Sequence, residues 1–167
     1  MLAKVSSRAI VGVDALEVQV EVDVATGLPS FDIVGLPGAA VREARDRVRS
    51  AIRNSGFQFP LGRVTVNLAP AHVPKSGTLF DLPIAMGILM ASGQLPPGLL
   101  QGSPVVVGEL SLDGAVRSVR GVLSVAASLR DARAPLVIPR GNRGEVEVVA
   151  GVRVVPVGSL REAVQAA

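Results

Sequence analysis

Val18-Gln19-Val20-Glu21-Val22-Asp23-Val24-Ala25 alternates branched apolar residues with mostly polar ones at a period of two. Successive side chains of an extended chain point to opposite faces, so this stretch reads as a half-buried strand. Working outward, Ala3 to Ile10 and Phe31 to Val34 read as further strands, set off by the turn residues Gly12, Asp14, Gly27 and Pro29. The chain is therefore expected to open as an antiparallel meander. From Ala39 to Asn54 the period becomes that of a helix, with Val41, Ala44, Val48, Ala51 and Ile52 on one side and Gly56 closing it.

Val64 to Leu68 reads as a short apolar strand, followed by a loop from Ala69 to Thr78. A second helix follows, apolar nearly all round through Leu82, Ile84, Met86, Ile88, Leu89 and Met90, and hence deeply buried. Asp81 stands where it can cap the first turn, and Pro83 where a missing N–H costs little. Beyond it the reading gives a strand at Val105 to Val107, a hairpin-like turn at Asp113-Gly114 and a helix from Gly121 to Arg133. Strands at Leu136 to Ile138 and Val152 to Val157 and a last helix, Leu160 to Ala166, complete it. Strands and helices alternating at short spacing predict a layered α/β sandwich.

Composition narrows the classes. The chain has 167 residues, 49% of them hydrophobic, enough for one core, and a single domain over 1–167 is expected. The apolar run Leu82 to Ala91 falls well short of the roughly 20 residues that cross a bilayer, and the amino terminus is a poor secretory signal. No cysteine is present, which removes disulfides and thiolate metal sites and fits a cytoplasmic protein. The net charge of +3 comes almost wholly from arginine, Lys4 and Lys75 being the only lysines. With no Trp or Tyr and four Phe, a single-strand binder built on an aromatic platform is disfavoured.

Neither lysine follows the glycine pair of a phosphate-binding loop; Gly35-Leu36-Pro37-Gly38 comes nearest and lacks the lysine. The only histidine, His72, has no carboxylate three or four residues away on a helix, so no metal site is expected. A triad of His72, Ser76 and Asp81 would have to come from one loop, and capping already explains Asp81. Lys75 beside Ser76 raises a Ser–Lys dyad; Pro74-Lys75-Ser76-Gly77 reads instead as a solvent-exposed turn.

On the first helix, Arg42, Arg45, Arg49 and Arg53 fall within an arc of about 80°, because spacings of three and four return to one side. They form a basic stripe beside the apolar face, flanked by Glu43 and Asp46. The stripe is either a solvated face or a surface that contacts phosphates or a neighbouring subunit.

Whole phrases carry a resemblance. Phe31-Asp32-Ile33-Val34-Gly35-Leu36-Pro37, Val41-Arg42-Glu43 through Arg49, Ala51-Ile52-Arg53-Asn54-Ser55-Gly56-Phe57 and Val64-Thr65-Val66-Asn67-Leu68-Ala69-Pro70 resemble the amino-terminal domain of the magnesium-chelatase-like AAA+ ATPases, the YifB and ComM group. Lys75-Ser76-Gly77, Phe80-Asp81-Leu82-Pro83 and Gly108-Glu109-Leu110 continue the match across nearly the whole chain.

The resemblance implies a fold like the proteolytic domain of Lon and the matching domain of RadA, shared with a ribosomal-protein domain. It also implies an ATPase module next in the chain, using ATP and magnesium, so that this chain would be an excised domain without a cofactor of its own. Lon's nucleophilic serine aligns with Leu79 and its catalytic lysine with about Leu123, so the resemblance implies a domain without a Ser–Lys dyad; Ser76 and Thr78 are the nearest hydroxyls. His72 stands where the family usually has an acidic residue. Lys75, Ser76, Gly77, Asp81, Gly108 and Glu109 are the family-motif positions. The implied parent is a cytoplasmic homo-hexamer that promotes branch migration on DNA, without a membrane partner; a degenerate peptidase and a pure oligomerisation module are the other readings.

Overall fold

The computed structural model describes residues 1–96 and 98–166, so the last residue of the expected domain range lies outside the described residues. Strands β1 (Leu2–Val11) and β2 (Asp14–Ala25) form an antiparallel hairpin in register from Leu2↔Asp23 to Val11↔Asp14. The next strand, β3 (Ser30–Val34), does not return beside β2 as a meander would. That place goes to β4 (Arg63–Ala69), antiparallel to β2, with β3 outside it and parallel to it. The reason is burial: β4 brings Val64, Val66 and Leu68 wholly into the core, whereas Ile33 of β3 is only partly buried and suits an edge.

On its other side β1 pairs parallel with β5 (Val105–Val106), followed outward by β8 (Leu136–Pro139) and β9 (Val154–Val157), also parallel. The sheet order is β3-β4-β2-β1-β5-β8-β9. Around the Asp113-Gly114 turn, β6 (Glu109–Leu110) and β7 (Val116–Arg117) make a separate ribbon. The mixed sheet with helices against it is the α/β sandwich expected.

Helix α1 (Ala39–Asn54) has the expected bounds and buries the five expected residues. Its end is set by Gly56 at φ 86°, which lets the Gly56 N–H reach the Arg53 carbonyl and the Phe57 N–H reach that of Ile52. Helix α2 (Asp81–Ala91) is buried at every position except Met90. The third helix is shorter than its apolar pattern suggested: α3 spans Val122–Ala127 rather than Gly121 to Arg133. Past it the Ser128 hydroxyl donates to the Val125 carbonyl, and the N–H groups of Leu129, Arg130 and Ala132 reach back three residues instead of four, a tightening that ends the α-helix. The one-turn α4 (Arg143–Val146) was not legible, and α5 (Leu160–Ala166) closes the chain with the expected bounds.

The core lies between α2 and the inner face of the sheet, where Ala3, Val5 and Ser7 stand opposite Val22, Val20 and Val18. Ser7 is tolerated there because its hydroxyl donates to the Val106 carbonyl at 2.7 Å. Gly87 brings α2 so close to the hairpin that an added Cβ would stand 2.6 Å from Val22 Cγ2. Gly87→Ala, which in an open helix would gain about 1 kcal/mol, is therefore expected to cost about 1–2 kcal/mol net through overpacking, read as a lower urea midpoint.

Candidate functional site

The arginines of α1, alike in sequence, have different fates. Arg42, Arg45 and Arg53 stand in solvent as the stripe predicts, and Arg45 Nε donates only to the Arg42 carbonyl, at 3.3 Å. Arg49 is half-buried, its guanidinium 5.2 Å from the centre of the Phe59 ring and 5.8 Å from that of Phe31, the two rings lying 5.3 Å apart. Among the described residues none of these four lies within 4.0 Å of a carboxylate. Three members of the stripe thus face solvent, the fourth lies over two rings, and none has a carboxylate partner among the described residues.

Arg47, left out of the stripe, turns inward. Its Nε and Nη2 donate to the two carboxylate oxygens of Asp81 at 2.7 and 3.0 Å, Nη2 also to the Ala40 carbonyl, and Nη1 stands 3.7 Å from Glu43. At about 100° per residue Arg47 sits within about 60° of Ala44 and Ala51. Small neighbours beside a cation were the signal that could have separated it from the other arginines, since they let its stem lie against the core.

Asp81 is not a helix cap. It is the first residue of α2, behind Phe80, and makes no capping hydrogen bond; its side chain, 1% exposed, accepts from Arg47 and from the Leu110 N–H at 3.0 Å. One carboxylate thereby joins α1, α2 and β6. Burial lifts its carboxyl to about 6, outweighing the downward pull of Arg47 and the Leu110 N–H, while Glu109 adds to the rise. Arg47 is held above its ordinary value, chiefly by its hydrogen bond to Asp81.

Lys75 departs further from the expected exposed turn. It is 1% exposed, and its ammonium donates to the Gly35 carbonyl at 2.6 Å and to that of Pro70. Its backbone is bound too: Lys75 N–H to the Leu36 carbonyl, and Gly38 N–H to the Lys75 carbonyl at 2.7 Å. Lys75 thus staples the 70–77 loop to the turn that starts α1, and burial pushes its ammonium below the usual lysine range. Proline, serine and glycine around it make a segment look solvated; the carbonyl cage that buries this lysine is formed by residues distant in sequence.

The remaining family-motif residues meet around one cleft. Gly108 is tied to the start of α2 by its N–H to Leu79 and by its carbonyl from Leu82, and Glu109 accepts the Thr78 hydroxyl at 2.9 Å. Ser76, Gly77, Thr78, Leu79 and Glu109 line the cleft, which has a volume of about 400 Å³. Leu79 is a buried wall; Leu123, 46% exposed, does not line it. His72 is exposed, and among the described residues no group of three His, Asp or Glu could hold a metal ion. No described helix is long and apolar enough to cross a membrane.

The sign of a pH effect follows from Asp81. Between the ordinary carboxylate value of about 4 and the raised value of about 6, the folded protein keeps a proton that the unfolded chain has released. The stability this group contributes therefore falls as pH rises through that window and is level above it. Urea melts should show the fall in the wild type and lack it in Asp81→Asn. At neutral pH, Asp81→Ala should cost about 3 kcal/mol, the loss of a buried ion-pair partner, and not the roughly 1 kcal/mol of a lost cap.

Comparison with known proteins gives these contacts a family context. The chain is 47% identical over 148 residues to an uncharacterised protein, YifB, of Salmonella typhimurium, a match that covers 89% of this chain and 29% of that protein. It is likewise 47% identical over 148 residues, with the same coverage, to the competence protein ComM of Haemophilus influenzae. An uncharacterised protein of Mycobacterium tuberculosis is 43% identical over 154 residues, 92% of this chain and 30% of its own length. The chain thus spans less than a third of the relatives it matches. The family described as subunit ChlI of Mg-chelatase matches residues 20–142, most of the chain, and the protein belongs to that family.

Proposed function

We propose that this domain is a non-catalytic part of a magnesium-chelatase-like AAA+ ATPase of the YifB and ComM kind, and that it offers the arginine face of α1 to the phosphates of DNA. In this reading the ATPase module belongs to the same polypeptide and uses ATP and magnesium. The parent is a cytoplasmic homo-hexamer that promotes branch migration during DNA uptake and recombination. The observation that carries the proposal is the charge of Arg42, Arg45, Arg49 and Arg53 on one face of α1, none of them within 4.0 Å of a carboxylate among the described residues, while Arg47 on the opposite side pairs with buried Asp81. Cations without a carboxylate partner, on a rigid element, suit a polyanion. Similarity to a competence protein supports a role on DNA. The same guanidinium groups would also suit acids on a neighbouring subunit, which is the oligomerisation reading. Leu79 and Leu123, at the positions of Lon's dyad, support a domain without peptidase activity.

Arg45→Glu with Arg49→Glu, made in the full-length protein, separates these readings. If the face meets phosphates, DNA binding weakens uniformly across sequences, and the slope of log affinity against log salt flattens by nearly one unit per lost contact. A smaller oligomer with an unchanged salt slope assigns the face to a subunit contact instead, and no change in either makes it a solvated surface. The isolated domain should hydrolyse neither ATP nor casein; turnover that survives repurification and disappears with Ser76→Ala would revive the peptidase reading.

A further inference from the structure

The arginine face of α1 ends in a hollow. Arg49 and Arg53, its last two members, line that hollow together with Pro29, Phe59, Pro60 and Leu61. The loop before β3 and the loop before β4 meet there, fastened by the Ser30 N–H on the Gly62 carbonyl at 3.4 Å. Leu61 is 87% exposed, and Leu28, next to Pro29 on the other loop, is 86% exposed. Single apolar residues on a surface are ordinary. Two leucines left in water on joined loops, beside two arginines that no carboxylate approaches within 4.0 Å among the described residues, form a mixed surface of apolar groups and positive charge.

We infer that this hollow receives an unpaired base of a DNA strand whose phosphates lie along the arginine face; the inference rests on the phosphate reading of that face and names the form of DNA it meets. From Arg42 to Arg53 the helix rises about 16 Å, the reach of several nucleotides, so a strand tracked by Arg42 and Arg45 arrives at the hollow. A base offers a flat apolar face and a charged backbone at once, and the hollow answers both. The Arg49 guanidinium, already held over the rings of Phe31 and Phe59, and the Leu61 side chain supply contact for the base, while Arg53 stands beside its phosphate. The volume of about 300 Å³, at the lower end of ligand pockets, suits one base with its sugar and is too small for a base pair. Stacked bases in a closed duplex leave such a seat empty and the two leucines in water, whereas an opened strand covers both, as apolar wedges do between base steps. One guanidinium over two rings is a seat for a single base, not the aromatic platform that the composition disfavours.

The test is fluorescence anisotropy of the full-length protein, without nucleotide, with a labelled oligothymidine strand and with a strand of the same length made wholly of abasic sites, which keeps every phosphate and lacks the bases. The wild type should bind oligothymidine about tenfold more tightly than the abasic strand. Leu28→Ser with Leu61→Ser, two exposed positions whose loss leaves the thermal midpoint unchanged, should narrow that ratio severalfold and leave the abasic affinity and its salt slope alone. Arg42→Glu with Arg45→Glu, outside the hollow, should weaken both strands alike and preserve the ratio. Equal binding of the two strands by the wild type, or a ratio untouched by the leucine substitutions, overturns the base seat while the phosphate reading stands on the effect of the Arg42 and Arg45 reversals. If those reversals weaken neither strand, the arginine face does not bind DNA and both readings fall. Displacement of oligothymidine by a polyglutamate peptide at lower concentration than by unlabelled strand would assign the hollow to an acidic protein segment and overturn the inference.

Discussion

A helix that is apolar on every side has to be enclosed on every side, and α2 imposes that constraint on the whole domain. The hairpin of β1 and β2 lies against one flank, and α1, α5 and the β6 ribbon close the others. The sheet can supply only one face, so the helical layer must supply the rest. Enclosure also carries Asp81 into the interior at the head of the helix, where a carboxylate without a counter-charge would cost several kcal/mol. The Arg47 pair follows from that burial, and it fastens α1 to the head of α2.

The motif phrases that carry the family resemblance turn out to be the places where distant segments are fastened. Lys75 ties the 70–77 loop to the start of α1, Gly108 and Leu110 tie the ribbon to the start of α2, and Thr78 ties the loop to Glu109. Of these bonds, that between Thr78 and Glu109 joins two residues of the cleft's lining. The arginine face of α1 is built differently: only Arg49 among its members is fixed, by the rings of Phe31 and Phe59. A face whose cations are mostly free to move adapts to a partner of variable shape, whereas the cleft is fixed by its fastenings.

Elements defined by local pattern were legible in the sequence. The period of α1 and its glycine stop gave its bounds, and the alternation around Val20 gave β2. What depends on pairing at a distance was not legible. β3 looks like a hairpin partner of β2 because it follows it closely, yet the more apolar β4 outcompetes it for the central position. Asp81 has the sequence context of a cap, and only Arg47, 34 residues earlier, reveals it as half of a buried pair. Lys75 shows the same limit in another form, a polar loop residue whose partners are backbone carbonyls that no side-chain pattern marks.

Strand β1 is where the antiparallel and parallel parts of the sheet meet, and its contact with β5 is sparse, a single register pair, Ser6↔Val105, helped by the Ser7 hydroxyl on Val106. The partners of β2 and β4 are available early during synthesis, whereas the residues that close this seam lie 99 positions apart. Closing so long a loop is slow, because its entropic cost comes before most of its contacts form. On the ribosome the hairpin would wait with one edge of β1 unpaired until β5 emerges. That interval is when the nascent domain is most open to aggregation, and β1 carries few residues that would discourage an intruding strand.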